Sequence, residues 1–151
     1  MPTLKDRLNA DLKTAMLARD AFATETLRGL KAAILNEEVA KGLREQGLPD
    51  EDTEKLLVKE AKKRGEAADL FEQGGNQASA DKERKEAELI NQYLPEQLSE
   101  ADVEKLVDAA IADIQPEGVR DMGRVIGAVK AKAGNSADGA LVASLVKQKL
   151  S

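Results

Sequence analysis

Apolar residues recur at intervals of three and four along almost the whole chain, and this spacing constrains the fold more than any other feature. The pattern begins with Leu4, Leu8, Leu12 and Met16. Such a period places apolar side chains on one face of a helix, whereas a strand needs strict alternation. Aromatic residues make up only 2% of the 151 residues, so core volume must come from aliphatic side chains, which suits helices. The sequence therefore predicts an all-α protein with no sheet.

Cap residues, glycines and prolines divide this pattern into about seven helices. The first follows Thr3, whose hydroxyl suits an N-cap, and buries Met16 together with the leucines. The second spans about residues 21–46, has Val39 on its inner face and stops at Gly47. The other predicted helices run from after Pro49 to Gly74–Gly75, over about 76–93, from Ser99 to Pro116, over about 120–133, and from Asp138 onward.

The segment Tyr-Leu-Pro-Glu-Gln-Leu-Ser at 93–99 breaks the helical pattern and predicts a linker between two domains. We expect residues 1–94 to form an N-terminal helical hairpin or bundle whose core includes Phe71. Residues 95–151 are then a small C-terminal domain of three helices. A domain of this size buries only about 60% of its unfolded surface and is marginal alone.

The chain contains no His and no Cys, which removes several classes of chemistry together. Zinc sites, cysteine nucleophiles, disulfides and imidazole acid–base catalysis all need these residues. No phosphate-binding glycine motif points to a nucleotide, so no cofactor and no metal is expected. The N-terminus is charged and no apolar run reaches membrane-spanning length, so the expected location is the cytoplasm, without a membrane partner.

Charge is distributed unevenly along the C-terminal domain. Residues 94–119 carry one base and seven acids, a net of −6, whereas 120–151 carry six bases and two acids, a net of +4. A basic surface on an acidic protein is a candidate for binding phosphates. The candidate nucleic-acid-binding residues are Arg120, Arg124, Lys130, Lys132, Lys147 and Lys149. For the two last lysines the alternative is that they only complement the negative C-terminal end of their helix.

Two short patterns leave structural alternatives open. Gly123 and Gly127 lie one turn apart inside the sixth helix, where each glycine costs about 1 kcal/mol relative to alanine. We expect another helix to pack closely against them, and the alternative is the approach of a phosphate or of a partner backbone. The adjacent carboxylates of Glu37 and Glu38 would suit acid–base work if buried, but on so charged a helix we expect them at the surface.

Several segments together resemble one known family. They are Leu4–Met16, Leu27–Arg28, Ile34–Glu38, Lys59–Arg64, the segment 93–99, Asp121–Gly123 and Asp138–Gly139. On these residues the chain resembles the YqeY-like proteins, the GatB/YqeY domain family, over essentially its full length. The resemblance implies an all-helical fold of two domains. It also implies kinship between the C-terminal domain and the tail of the B subunit of glutamyl- and aspartyl-tRNA amidotransferase, which helps to hold tRNA.

The resemblance implies tRNA binding more directly than it implies catalysis. The kinase-like and amidase chemistry of the amidotransferase resides outside its tail, and nothing in this chain resembles those parts. The family commonly has an arginine in the turn before the last helix, and here the turn reads Gly-Asn-Ser-Ala-Asp-Gly at 134–139. This departure weakens the expectation of a phosphate contact at that turn.

Three functions are consistent with the sequence. The favoured one is a non-catalytic helical module that binds tRNA, or a protein of the tRNA-aminoacylation machinery, through the basic C-terminal residues. The second is a protein–protein adaptor, which an exposed contiguous apolar patch would favour. The third is a carbon–nitrogen ligase with glutamine as amido-N-donor, which would need buried carboxylates or a lysine in a cleft.

Overall fold

The computed structural model describes residues 2–151, and over this range it contains seven α-helices, two short 3-10 turns and no strand. The predicted all-α fold is confirmed. The helices are α1 Leu4–Leu17, α2 Ala21–Ala40, α3 Asp50–Gln73, α4 Gln77–Asn91, α5 Glu100–Ile114, α6 Met122–Ala133 and α7 Gly139–Leu150. The 3-10 turns are Val119–Asp121 and Gly134–Ser136. The chain divides into two compact units, one ending at Leu94 and the other comprising Pro95–Ser151.

Local hydrogen bonds start α1, α5 and α7 at the three cap residues that the sequence predicts. Thr3 and Asp6 form a reciprocal capping box at α1, and the Thr3 backbone N–H and hydroxyl lower the pKa of the Asp6 carboxyl. Ser99 caps α5 by accepting from the Asp102 N–H, and Asp138 caps α7 by accepting from the Ala140 N–H. Each such cap contributes about 1 kcal/mol, so the helix starts are specified within a few residues of sequence.

The N-terminal unit packs α1–α4 around an aliphatic core. Its fully buried large side chains are Leu8, Leu30, Ile34, Leu57 and Ile90. At the end of α4, the Tyr93 hydroxyl donates a hydrogen bond to Asp11 on α1, and the Arg7 guanidinium lies 5.4 Å from the centre of the Tyr93 ring. Burial of the hydroxyl is the main cause of a raised pKa at Tyr93, and the Asp11 carboxylate raises this pKa further. The tyrosine of segment 93–99 thus fastens the end of α4 to α1.

The second helix ends earlier than predicted, at Ala40 and not near residue 46. Gly42 has φ +68°, its N–H donates to Val39, and the Leu43 N–H donates to Glu38. These two bonds form a Schellman motif, which terminates a helix through a residue in the left-handed region. The sequence prediction placed the stop at Gly47 because that glycine precedes a proline. Gly47 also has positive φ, but it belongs to the loop before α3.

Three residues predicted to lie in the core are exposed: Met16 by 49%, Val39 by 58% and Phe71 by 39%. A spacing of four residues drifts by about 40° per step around a helix, so the fourth member of the α1 row has turned away and Ala15 is buried instead. Val39 lies beside Glu38, which takes the inward position. Around Phe71, the only buried α3 residue nearby is a small one, Ala68, so the thin packing leaves the ring partly uncovered.

The C-terminal unit packs α5, α6 and α7 around a separate valine-rich core. Its fully buried members are Val103, Val107, Val125, Val129, Val142 and Val146. The sixth helix begins at Met122, and Arg120 lies in the preceding 3-10 turn and not inside the helix as predicted. The turn before α7 is fixed from segment 93–99, because the Leu98 N–H donates to Ser136 (2.8 Å).

Candidate nucleic-acid interface

Helix α6 turns one face toward the core and leaves the opposite face open. Val125 and Val129 are buried, whereas Gly123, Gly127 and Ala131 are exposed at successive turns. A Cβ atom added to either glycine would meet nothing within 4 Å. The expectation that another helix packs against these glycines is therefore wrong for the part of the chain that the structure describes. The three small residues thus form an uncovered row on the surface of α6.

Two cations of α6 border this open row. Arg124 is exposed by 67% and Lys130 is also exposed, and a helical projection places them on opposite sides of the glycines. Arg124 approaches Asp121 at 3.7 Å, a surface ion pair of the kind that contributes 1 kcal/mol or less. Lys130 has no ion pair with any residue in the 2–151 range. Both side chains are free to reorient toward an anion.

The remaining candidate cations differ in whether a carboxylate of the fold already pairs with them. Lys132 and Lys147 are exposed and have no ion pair within the described chain. Arg120 is 76% exposed and pairs with Glu117 three residues earlier. Lys149 is only 25% exposed and lies between Asp108 (2.8 Å) and Glu104 (2.9 Å) of α5. The hydrogen bond to Asp108, and to a smaller extent the one to Glu104, raises the pKa of the Lys149 amine. The positive charge of Lys149 is therefore already paired within the fold.

Charge in this unit is segregated by helix. Helices α6 and α7 contain five cations and no acidic residue, whereas α5 contains five acids and one lysine. The two signs meet at Lys149, which ties α7 to α5. The open side of α6 therefore keeps its positive charge, even though residues 95–151 as a whole are slightly acidic. An anion with repeated charges is the ligand that such a surface attracts.

The turn at 134–139 offers little to a phosphate. A phosphate needs N–H donors, and the Ala140 N–H that follows the turn already donates to Asp138. Two carbonyls of the turn accept from segment 93–99, since Gln97 Nε2 donates to Asn135 (2.9 Å) and the Leu98 N–H donates to Ser136. Asp138 caps α7 and adds negative charge at its N-terminus. These contacts explain what Gln97 and Leu98 do, which the sequence pattern alone did not reveal, since the bonds span more than 30 residues.

The strongest catalytic candidate is a structural ion pair. Glu38 was expected at the surface, but it is fully buried, and Lys5 Nζ lies 2.8 and 3.0 Å from its two oxygens. The Leu48 N–H also donates to Glu38 (2.8 Å). The lysine hydrogen bond holds the pKa of Glu38 below its usual value despite burial, so this carboxylate stays ionised and is a poor general acid. It fixes the loop between α2 and α3.

The described residues offer neither a metal site nor a membrane span. Within 2–151, no group of three or more acidic residues converges in a way that could hold a metal ion. No helix in that range is long and apolar enough to cross a bilayer. An open depression lies at the corner between α1 and α2, bordered by Met16, Arg19 and Arg28. Neither Glu38 nor Lys5 lies among the residues that border it.

The fold and this surface define an all-helical protein of two units with an open basic face on one helix. A family described as "Yqey-like protein" matches residues 5–150, which is essentially the whole chain. The chain therefore belongs to the YqeY-like family, and the resemblance inferred from its motifs is confirmed.

Two similar proteins carry the same name, "Altered inheritance of mitochondria protein 41, mitochondrial". The one from Pyrenophora tritici-repentis (strain Pt-1C-BFP) is 28% identical over 137 residues, covering 86% of this chain and 73% of the relative. The one from Clavispora lusitaniae (strain ATCC 42720) is 32% identical over 91 residues, covering 60% of this chain and 51% of the relative. The relatives are named as mitochondrial proteins, so the cytoplasmic location expected from the sequence stays a prediction.

Proposed function

We propose that this protein is a non-catalytic RNA-binding module whose C-terminal unit holds the phosphate backbone of a folded RNA, with tRNA as the expected ligand. The observation that carries the proposal is the open row of Gly123, Gly127 and Ala131 between the exposed cations Arg124 and Lys130. Small residues let a sugar–phosphate strand approach the helix backbone, and the flanking cations then reach its phosphates. The resemblance to the amidotransferase tail supports tRNA as the first RNA to test.

Recognition through phosphates and shape fits this surface better than recognition of bases. Proteins that bind single strands stack bases on aromatic side chains. Helices α6 and α7 contain no aromatic residue, and the whole chain has one Tyr, two Phe and no Trp. A duplex or a folded RNA can be bound without stacking, through phosphates and sugar hydroxyls. We therefore expect binding to depend strongly on salt and weakly on sequence.

The candidate cations do not contribute equally to this proposal. Arg124 and Lys130 flank the open row, and we assign them the main phosphate contacts. Arg120, Lys132 and Lys147 are exposed and add to the positive charge of α6, α7 and the turn before α6, but we assign them no direct contact with the row. Lys149 is assigned no contact, because two carboxylates of α5 already hold its amine.

A catalytic function has less support than a binding function. A carbon–nitrogen ligase without His or Cys would use carboxylates or a lysine in a cleft. Glu38 is a buried carboxylate and pairs with the partly exposed Lys5, but the depression at the α1–α2 corner is lined by other residues. The pair also has a structural task in fixing the loop before α3.

The test is binding of the full chain to bulk tRNA, followed by fluorescence anisotropy at about 50 and 200 mM salt. The variant Arg124→Glu/Lys130→Glu reverses both flanking charges. The matched control, Lys59→Glu/Lys85→Glu, makes the same charge change on exposed lysines of α3 and α4 that have no ion pair within the described chain. We expect the first variant to weaken binding, and each lost phosphate contact to flatten the log–log salt slope by about 0.9.

A second variant separates local geometry from overall charge. Gly127→Leu fills the open row without changing charge, and its Cβ meets nothing in the fold. We expect it to weaken tRNA binding while the circular dichroism spectrum stays helical. Equal binding by the wild type, the charge-reversed variant and Gly127→Leu would overturn the proposal, as would the absence of tRNA binding at the lower salt.

A further inference from the structure

The outer face of α2 carries a row of residues that remain exposed within the described chain. The row comprises Ala21, Glu25, Arg28, Ala32, Leu35 and Val39, all of them exposed. Their spacing alternates between four and three residues, which is the spacing of a helix seam that packs against a second helix. Leu35 is 45% and Val39 58% exposed, although the inner face of α2 already supplies the core. Helix α2 thus has two faces with apolar residues, and within the described chain only the inner face packs against other helices.

The row continues onto the end of α1. Met16 is 49% and Leu17 81% exposed, so two more large apolar side chains lie at this corner. The Arg28 guanidinium reaches the Met16 sulfur at 3.9 Å, which joins the α1 end to the α2 row. Met16 and Arg28 also line the open depression at the corner, together with Arg19 and Glu25. The apolar surface and the cations therefore occupy one continuous region.

This region has positive charge that the fold does not neutralise. Arg19, Arg28 and Lys31 have no ion pair within the described chain. The acidic member of the row, Glu25, is 3.8 Å from Lys82 of α4. By contrast, Lys41 at the far end of α2 is already paired with Glu37 and Asp52. An occupant of this face must supply both apolar side chains and carboxylates.

We propose that the outer face of α2 binds an acidic amphipathic helix of a partner protein. Its apolar side chains pack on Ala32, Leu35 and Val39, and its carboxylates pair with Arg28 and Lys31. Charge complementarity selects this occupant. A second copy of the chain would present the same unneutralised cations, and an RNA would leave the exposed leucine, valine and methionine without apolar contacts. The proposal concerns the N-terminal unit and goes beyond RNA binding by the C-terminal unit.

The test uses a labelled synthetic helix of about 20 residues, long enough to span the α2 row. One peptide has leucines at alternating three- and four-residue spacing and glutamates beside them, and its counterpart has lysines in place of the glutamates. Anisotropy titrations of the full chain should detect the acidic peptide and not the basic one. Amide chemical-shift changes should concentrate on the outer face of α2.

Variants of exposed residues make the test specific without disturbing the core. Leu35→Ser/Val39→Ser should weaken binding of the acidic peptide by about tenfold or more, because it removes the apolar anchors. Arg28→Glu should shift the preference toward the basic peptide. The control is Leu70→Ser on α3, which replaces a leucine exposed by 69% and should leave binding unchanged.

Four outcomes would overturn the proposal. The first is failure of the acidic peptide to bind, and the second is equal binding of both peptides. The third is a concentration-dependent dimer, seen by sedimentation, that Leu35→Ser/Val39→Ser dissociates, since this would assign the face to a second copy. The fourth is loss of tRNA binding in Arg28→Glu, which would assign the face to RNA.

Discussion

At the scale of single residues, Glu38 is the one charged side chain that is fully buried among the described residues. Its carboxylate is fully buried and depends on Lys5 and on the Leu48 N–H for stabilisation. Lys5→Met should remove the lysine and leave the charge buried, at a cost of about 3 kcal/mol in the free energy of unfolding. The control Lys13→Met, at an exposed position of the same helix with no ion pair in the described range, should change stability by about 0.5 kcal/mol or less. Equal urea midpoints for the two variants would contradict this assignment.

The same pair predicts how stability depends on pH. The pKa of Glu38 is lower in the folded chain than its ordinary value of 4.5, so folding favours the ionised form. The resulting stabilisation is complete above that ordinary value and is lost as the pH falls through the lower folded-state pKa. Urea unfolding from pH 6 downward should show this loss in the wild type. In Lys5→Met the loss should be smaller, and an unchanged pH dependence would assign the effect to other carboxylates.

Gly123 and Gly127 provide a second prediction at this scale. Both are helical, and a Cβ atom at either position would enter open space. Gly123→Ala and Gly127→Ala should therefore each raise the free energy of unfolding by roughly 0.5–1 kcal/mol, because alanine restricts the unfolded chain more than glycine does. Urea denaturation followed by circular dichroism measures the change. Destabilisation by either substitution would indicate that another backbone packs against α6.

At the scale of elements, the end of α2 depends on one glycine. Gly42 has φ +68° and donates the hydrogen bond that closes the helix at Val39. Because an L-residue pays about 1–2 kcal/mol in the left-handed region, Gly42→Ala should destabilise the protein by about that amount. Thermal unfolding of Gly42→Ala beside Gly127→Ala compares the same chemical change at a strained and an unstrained position. A shift of both melting temperatures in one direction would contradict the backbone argument.

Several helix boundaries could be predicted because their causes are local. Thr3, Ser99 and Asp138 accept hydrogen bonds from residues two or three positions away, so the sequence contains the whole interaction. The end of α2 was missed because two glycines compete for that role. Gly47, followed closely by a proline, is the stronger sequence signal, but Gly42 is the one whose neighbours complete the Schellman bonds.

At the scale of the whole molecule, the two units have separate cores. Leu30 belongs to the core of the N-terminal unit and Val107 to that of the C-terminal unit, and neither cluster includes residues of the other unit. Leu30→Ala should cost about 2–5 kcal/mol, since it creates a cavity at a fully buried site. Amide hydrogen exchange should then show faster opening in α1–α4, while α5–α7 keep their protection. Val107→Ala should give the reciprocal pattern, and equal loss of protection in both units would show a single cooperative structure.

The proposed surfaces also assign different ligands to the two units. Phosphates are assigned to the open face of α6, and an acidic helix to the outer face of α2. Charge reversal at Arg124 and Lys130 should therefore leave the acidic peptide bound, and charge reversal at Arg28 should leave tRNA bound. Measuring both ligands on both variants shows directly whether the two surfaces act independently.

The sequence by itself determined the helical fold, most helix starts and the charge carried by each helix, because periodicity, caps and composition act over one or two turns. Tertiary structure decided which charged side chains are paired within the fold and which can still bind a ligand. It buried Glu38 against Lys5 across 33 positions, and it gave Lys149 to α5 across 45 positions in its bond to Glu104. It also left Gly123 and Gly127 uncovered. These outcomes depend on which helix faces meet, and the sequence of one helix does not contain the position of its neighbour.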